Sequence, residues 1–382
     1  MTDPAAGVPR VLIAGGGTGG HLMPALAIAR ALRETGCVEP VLVGAVRGVE
    51  ARLLPTRDFR YHLLPAEPLY RNQWWKNARW PVVAARLLAS VRRVYADERP
   101  VAGVGTGGYA SAPVVWWATR RGIPTALQEQ NAYPGLTTRW MSGRVDRIYL
   151  GLPEGRGQVR PGPRTEVLDT GNPIVPPDPE RRPAAAERWS LPAGKPTLLL
   201  TGGSQGSLAL NRALAGCLDT GLAGRINVIW VTGRATYQDF ARYHVPAAGV
   251  QVVEFLDPMA DGYAVADLVV GRAGALTVAE LCAWGIPSVL IPLPTAAADH
   301  QTHNARALAA AGAAAFLPQS ELSPARLGEV VEGLLLDEAA RAGMARAARE
   351  RGRPGAAAEI VSNLLTLLDM RRASAPSGRG LH

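Results

Sequence analysis

The sequence predicts an α/β protein built from two doubly wound, parallel-sheet domains of Rossmann-like type, in tandem and facing a cleft. Three observations predict it. Short apolar runs alternate with helical stretches through the first half, the pattern of a parallel sheet covered on both faces. The second half opens as the first does, with an apolar strand, a glycine-rich loop and a helix. Between the halves lies VPPDPERRP, proline-rich, charged and without periodicity, which reads as a linker. The chain of 382 residues is long enough for two domains, and 47% of it is apolar, enough for two cores. A cleft between two such domains is the expected home of a two-substrate reaction.

The first domain is organised around Val11–Arg30, VLIAGGGTGGHLMPALAIAR. Val11–Ala14 reads as a short buried strand, and a loop of six residues follows, five of them glycine. Leu22–Leu32 has the apolar density and the Ala/Leu content of a helix. A strand, a glycine loop and a helix start make a site for phosphate. The backbone can approach closely, and the first-turn N–H groups have no intrahelical acceptor. His21 stands at that turn, where Pro24 is also tolerated. Gly15, Gly17 and Gly20 fit the G-x-G-x-x-G of dinucleotide oxidoreductases. That reading needs an acid at the end of the second strand. Gly44-Ala45 stands there instead, and Glu50 falls beyond the expected strand end, so the dehydrogenase reading is set aside.

Strands are expected in this half at Arg10–Ala14, Pro40–Val43, Tyr61–Leu64, Val101–Gly105, Thr125–Glu129 and Arg147–Leu150. Between the third and fourth lies Leu69–Arg99, with Trp74, Trp75 and Trp80 among Arg71, Lys76, Arg79, Arg86, Arg92 and Arg93. Aromatic rings among cations suit the headgroup level of an anionic bilayer, at roughly 1 kcal/mol per cation near the surface. A helix with core tryptophans and a solvated arginine face has the same composition. Gly105–Ser111 is a second glycine loop. Glu129-Gln130-Asn131 ends the next strand, at the carboxyl edge where open α/β sheets bind ligands; turn and cap chemistry is the alternative.

The first domain is expected to span 1–170 and the linker 171–185. The second domain, 186–355, has strands at Thr197–Thr201, Asn227–Val231, Gln251–Phe255, Asp267–Val270 and Ser288–Ile291. Gly202–Gly206 is its first-strand loop. Gly271–Glu280, GRAGALTVAE, turns from strand to helix, where free N–H groups could hold a pyrophosphate and Glu280 a ribose diol. Glu280 lies too far inside the helix for the dipole to explain it. Ala298–Asn304 is a further polar cluster after a strand, fit for helix capping or for meeting a sugar. Residues 356–370 form an amphipathic helix returning to the first domain, and 371–382 a disordered tail.

A net charge of +9 permits an anionic partner, though an arginine-rich composition accounts for part of it, and no nucleic-acid signature accompanies it. The choice falls on an acidic membrane surface or a phosphorylated substrate. The three cysteines are widely spaced, without metal spacing, which fits a reduced compartment. MTDPAAGVPR lacks the regions of a secretory signal, and no apolar run is long enough to span a bilayer.

Six motifs, in order, carry a resemblance over about residues 10–365. They are GGTGGHLMPALA at Gly16–Ala27, GTGGYASAP at Gly105–Pro113, QEQNAYPG at Gln128–Gly135, TGNP at Thr170–Pro173, GGSQGSLALN at Gly202–Asn211 and GALTVAEL at Gly274–Leu281. The chain resembles the MurG family, membrane-associated glycosyltransferases of peptidoglycan synthesis. The resemblance implies a GT-B fold. It implies inverting transfer of N-acetylglucosamine from UDP-N-acetylglucosamine to the C4 hydroxyl of the muramoyl sugar of lipid I, giving lipid II and UDP, with a place in cell-wall growth, shape and division. It also implies peripheral attachment to the cytoplasmic face of the plasma membrane, at an anionic surface met by Trp74, Trp75, Lys76, Arg79 and Trp80, and partner proteins of cell-wall synthesis.

Carried over by position, Gly17, Thr18, Gly19 and Gly20 face the donor sugar and reaction centre, Asn131 the donor sugar, and Ser204 the diphosphate. The Leu256 backbone reads uracil. Ala275, Leu276, Thr277, Val278, Ala279 and Glu280 hold the phosphates and ribose, and Gln301 with His300 the sugar hydroxyls. Two positions depart from the family pattern. Val175 stands where an arginine is common, so that diphosphate contact is either lost or supplied by another residue such as Arg164 or Arg160, and Ala273 stands where serine is common. His21 is the candidate general base, with a plain substrate or loop hydrogen bond as its alternative role. A helix N-terminus disfavours added positive charge, which suits a ring that must start neutral. No D-x-D with neighbouring acids is present in either loop, so helix dipoles are expected in place of a metal, and no cofactor is expected.

Overall fold

The computed structural model describes residues 8–67 and 80–374. The chain divides into two units: one ends at Ile174 and resumes at Gly355, and the other is Val175–Pro354.

In the first unit β1 (Arg10–Gly15) leads to α1 (Gly19–Glu34), β2 (Glu39–Ala45), α2 (Glu50–Leu53) and β3 (Arg60–Leu64). Then come α3 (Trp80–Glu98), β4 (Ala102–Gly107), α4 (Ser111–Arg120), β5 (Thr125–Glu129), α5 (Leu136–Met141), β6 (Arg147–Leu150) and β7 (Glu166–Leu168). The sheet order is β3-β2-β1-β4-β5-β6-β7, parallel throughout. Val11, Leu12, Ile13 and Ala14 are all fully buried, as expected of a strand covered on both faces. β3 to β1 run one way from the start of the sheet and β4 onward the other. The order therefore reverses between β1 and β4, and ligands bind outside the carboxyl ends at such a reversal.

The second unit begins with α6 (Arg181–Trp189), β8 (Thr197–Thr201), α7 (Leu208–Asp219), β9 (Asn227–Val231), α8 (Tyr237–Phe240), β10 (Val250–Val253) and α9 (Ala260–Tyr263). It continues through β11 (Leu268–Gly271), α10 (Ala275–Trp284), β12 (Ser288–Leu290), α11 (His300–Ala310), β13 (Ala315–Phe316), α12 (Pro324–Leu336) and α13 (Glu338–Arg351). Its sheet, β10-β9-β8-β11-β12-β13, is also parallel and reverses between β8 and β11. The strands β7 and β13 lie outside the sequence expectation. Both are edge strands, of three and two residues, and only partly buried, so neither has the apolar run that marks the others.

The chain returns to the first unit as α14 (Ala356–Ser374), against α1. Ile360, Val361, Leu364, Leu367 and Leu368 are buried with Leu22, Leu26 and Ile28. Each such side chain contributes roughly 1.5–3 kcal/mol relative to exposure. Two boundaries differ from expectation. The helix runs to Ser374 rather than ending at 370, with Arg371 paired to Asp146, itself held by Thr125 N at 2.9 Å, so residues 371–374 are helix. The expected linker 171–185 is shorter. Gly171 N donates to Leu150 O and Asn172 is buried in the first unit, while α6 already starts at Arg181.

Candidate active site

Each sheet reversal carries a pair of glycine loops. In the first unit these are Gly16–Thr18 after β1 and Gly107-Gly108 after β4. The pairing of β1 with β4 shifts register at Gly15, which pairs with Gly107 and leaves Thr106 as an extra residue. The Thr106 hydroxyl donates to His21 O at 2.8 Å, tying the first turn of α1 to β4. Gly107 has φ +99°, and a Cβ there would stand 2.6 Å from His21 Nδ1, so only glycine lets the ring lie against this strand end. The first turn of α1 has no side-chain cap and no acid, so its positive end is not neutralised from within.

His21 Nδ1 is 3.1 Å from Gln130 Oε1. Gln130 Nε2 donates to Thr106 O at 2.8 Å, Gln128 O at 3.1 Å and Gln128 Oε1 at 2.5 Å. Gln128 Nε2 donates to Asn172 Oδ1, and Asn172 Nδ2 to Gln130 O, both at 3.0 Å. Asn131 turns to its neighbour but one: its N and Nδ2 donate to Glu129 Oε1 at 3.0 and 3.2 Å. Glu129 also accepts from Gly135 N and Thr138 Oγ1, so its carboxylate shapes the loop.

In the second unit the paired loops are Gly202–Gly206 after β8 and Arg272–Gly274 after β11. Ser204 is exposed on the first. Ser207 caps α7 by accepting from Leu210 N, and Gly274 opens α10 with no capping side chain and no acid in the first turn. Arg272 joins the two loops: Nη2 donates to Ser207 Oγ at 2.8 Å and Gln319 Oε1 at 2.7 Å, and Nη1 to Ile291 O and Pro292 O. All these acceptors are neutral, and burial lowers the guanidinium's affinity for its proton. A cation between two helix N-termini with no carboxylate beside it makes a site for an anion.

Glu280 Oε2 accepts from the Tyr263 hydroxyl at 3.0 Å, and Oε1 has no partner among the described residues. Burial holds the Glu280 carboxyl above the ordinary carboxylate range, opposed by that hydrogen bond. Leu256 is buried beside the exposed Phe255, over whose ring Arg234 lies at 5.4 Å. Among the described residues, no hydrogen bond engages the N–H or C=O of Leu256. Gln301 Oε1 accepts from Leu293 N at 2.9 Å, leaving its NH2 to donate. His300 Nδ1 donates to Ala297 O at 2.7 Å, leaving Nε2 as acceptor. Just before them Ala298 and Asp299 both hold left-handed backbone, φ 52° and 53°, strain of the kind found at ligand loops.

Residues 11–150 match the glycosyltransferase family 28 N-terminal domain, and residues 197–360 its C-terminal domain. The Salinibacter ruber UDP-N-acetylglucosamine–N-acetylmuramyl-(pentapeptide) pyrophosphoryl-undecaprenol N-acetylglucosamine transferase is 43% identical over 375 residues, covering 96% of this chain and 99% of that protein. The chain belongs to the MurG family. The protein of the same name from Moorella thermoacetica is 38% identical, covering 94% and 99% of the two chains. The crystal structure of Acinetobacter baumannii MurG matches with a TM-score of 0.75 at 29% identity, covering 94% and 99%. A UDP-GlcNAc 2-epimerase from Neisseria meningitidis matches at 0.64 with 14% identity, which shows the GT-B type of fold and nothing about the reaction.

Against the MurG pattern, some motif residues prove to be braces. Asn211 donates to Thr232 O and Thr236 Oγ1 and accepts from Trp230 Nε1, all within the core. Asn304 donates to Ala273 O at 3.1 Å. Ala273 is fully buried, so the hydroxyl missing there would not face solvent. Val175 is exposed at the start of the second unit. Arg160 and Arg164 do not flank the first unit's loops, which goes against either of them replacing the missing arginine and leaves the alternative that the contact is lost or comes from elsewhere. Arg160 is bonded to Ser142 at the end of α5, and Arg164 immediately precedes β7, which places both at the amino edge of the sheet. Sequence reasoning placed Gln130 at the carboxyl edge without a role and assigned none to Arg272, Tyr263, Gln128 and Asn172. All but Tyr263 lay inside quoted stretches, but nothing in the sequence says what they touch.

Proposed function

We infer that this chain catalyses inverting transfer of N-acetylglucosamine from UDP-N-acetylglucosamine to the C4 hydroxyl of lipid I, forming lipid II and UDP. The observation that carries it is 43% identity, over nearly the full chain, to a transferase of that name. Loop pairs at both sheet reversals support it.

The acceptor oxygen attacks the anomeric carbon as the bond from that carbon to the β-phosphate oxygen breaks. The electron pair leaves with UDP, and His21 takes the hydroxyl proton. The start of α10, Ala275–Ala279, and Ser204 hold the diphosphate, in the field of Arg272. Each such preorganised donor contributes roughly 3 kcal/mol to stabilising the leaving charge. The free N–H and C=O of Leu256 meet the edge of uracil. Glu280 Oε1 accepts from the ribose, and Gln301 with His300 from or to the sugar hydroxyls. Gly17, Thr18, Gly19, Gly20 and Asn131 face the transferred sugar. The test is radiolabelled sugar transfer to a lipid I analogue with UDP-glucose as competing donor. Labelled lipid II is expected; labelled diacylglycerol without labelled lipid II would overturn the reading.

Glu280 gives this site a pH dependence. Its carboxylate form accepts from ribose hydroxyls, so UDP affinity falls as pH drops through the raised Glu280 value, starting at higher pH than an ordinary glutamate would allow. The unliganded fold responds in the opposite sense, losing stability as pH rises through that value. Calorimetric titration with UDP across pH checks the binding effect. Glu280→Gln flattens the curve, and an unchanged slope in that variant would refute the assignment.

The lipid-linked acceptor accounts for the basic aromatic stretch as a surface for the cytoplasmic face of the membrane. Trp74, Trp75, Lys76 and Arg79 lie outside the described residues; Trp80 opens α3 and is half-buried. Among the described residues no helix is long and apolar enough to cross a membrane. Two features support peripheral binding: α3 exposes Val82, Arg86, Arg92 and Arg93, and α5 exposes Leu136 and Trp140 beside Arg139 and Arg144. The protein sediments with anionic vesicles, and a Trp74/Trp75/Arg79 triple alanine variant does so less. Equal binding of both proteins to neutral and anionic vesicles would exclude this surface.

A further inference from the structure

We propose that Gln130 is a positioning residue that fixes the neutral His21 ring with its proton on Nδ1 and its lone pair on Nε2. The proposal deepens the reading of His21 as base and rests on it for its kinetic consequence.

The assignment follows from which atoms can only accept. A backbone carbonyl has no proton to give. Asn172 faces Gln130 O at 3.0 Å, so the atom it presents is Nδ2, and Oδ1 turns to Gln128. Gln128 must then give Nε2 to Asn172 and keep Oε1 for Gln130. Gln130 must give Nε2 to Gln128 Oε1, Thr106 O and Gln128 O, two of which are backbone carbonyls. Turning any one of the three amides over would set oxygen against oxygen. What remains for His21 is Gln130 Oε1, an acceptor, so Nδ1 carries the hydrogen. Gln128, Gln130 and Asn172 are all buried, which makes a mismatched amide costly.

In the neutral ring only the nitrogen without hydrogen can take a proton. With Nδ1–H spent on Gln130, that nitrogen is Nε2, the one directed away from the amide chain. The lock adds no charge to the ring. It selects the tautomer and holds the ring plane against Gly107, as a second partner does for a working histidine in general.

The experiment is a long-range proton–nitrogen correlation spectrum of histidine-labelled protein, at a pH where His21 is neutral. The chain has six histidines, and the His21 signals are those lost in His21→Gln. The expected pattern is pyrrole-type Nδ1 and pyridine-type Nε2. Gln130→Leu shifts it toward Nε2–H and lowers kcat by about 10- to 100-fold, part of what a positioned base supplies, with KM for UDP-N-acetylglucosamine within about twofold. An Nε2–H pattern in the wild type overturns the proposal, and so does an unchanged pattern in a folded Gln130→Leu variant. The wild-type spectrum needs no substitution, so misfolding of the variant does not leave the question open. Near-normal turnover by His21→Ala would remove the base reading while leaving the spectrum to decide the tautomer.

Discussion

His21→Ala lowers kcat by about 10²- to 10⁴-fold at saturating UDP-N-acetylglucosamine and lipid I analogue, the range a positioned base contributes. Donor affinity changes little, because the proposed contacts to uracil, ribose and diphosphate come from the second unit. Steady-state kinetics with both substrates varied separates the two effects. The fold loses only the hydrogen bond to Gln130 Oε1, on the order of 1–2 kcal/mol. A variant that melts near the wild-type temperature and still turns over at a near-normal rate would show that the ring merely contacts substrate.

Glu50→Ala destabilises the first unit by about 3 kcal/mol and disables the loop that presents His21. Glu50 is fully buried, in the first turn of α2. Its Oε1 accepts from Ala45 N at 2.8 Å and Gly17 N at 2.9 Å, which ties the end of β2 to the loop after β1. A Cβ at Gly44 would stand 2.3 Å from Glu50 Cγ, so the small residue at the end of β2 is what admits this side chain. Alanine leaves the buried Ala45 N–H and the half-buried Gly17 N–H without that acceptor. Glu50→Gln keeps an oxygen in the Oε1 position and recovers most of the loss. Urea denaturation midpoints of the three proteins check the order wild type, Gln, Ala; equal midpoints for wild type and Ala would show that the loop holds without Glu50. The same geometry completes the case against a dinucleotide site. The acid exists, but it is fully buried with its carboxylate turned to the backbone N–H groups of Ala45 and Gly17, away from any position where it would meet a ribose.

Glu50 and Gln130 mark where sequence reading stops. Both were visible as residues, one judged too far along the chain and the other unassigned beside Asn131. Glu50 acts five residues back and thirty-three back at once, and Gln130 meets a ring 109 residues away. Asn131, singled out by its motif, is held in place by Glu129, its neighbour but one.

The sequence by itself determined the alternation of strand and helix, the two parallel sheets and the loops at their carboxyl ends. Those depend on hydrophobic period and glycine placement, which are properties of short stretches. Only the tertiary structure decided that β1 lies against β4 in one unit and β8 against β11 in the other. That order brings His21 to the amide chain and Arg272 to the N-cap of α7. The physical reason is that a hydrogen-bond partner is chosen by proximity in space. Proximity is set by strand order, which the period of a strand does not encode.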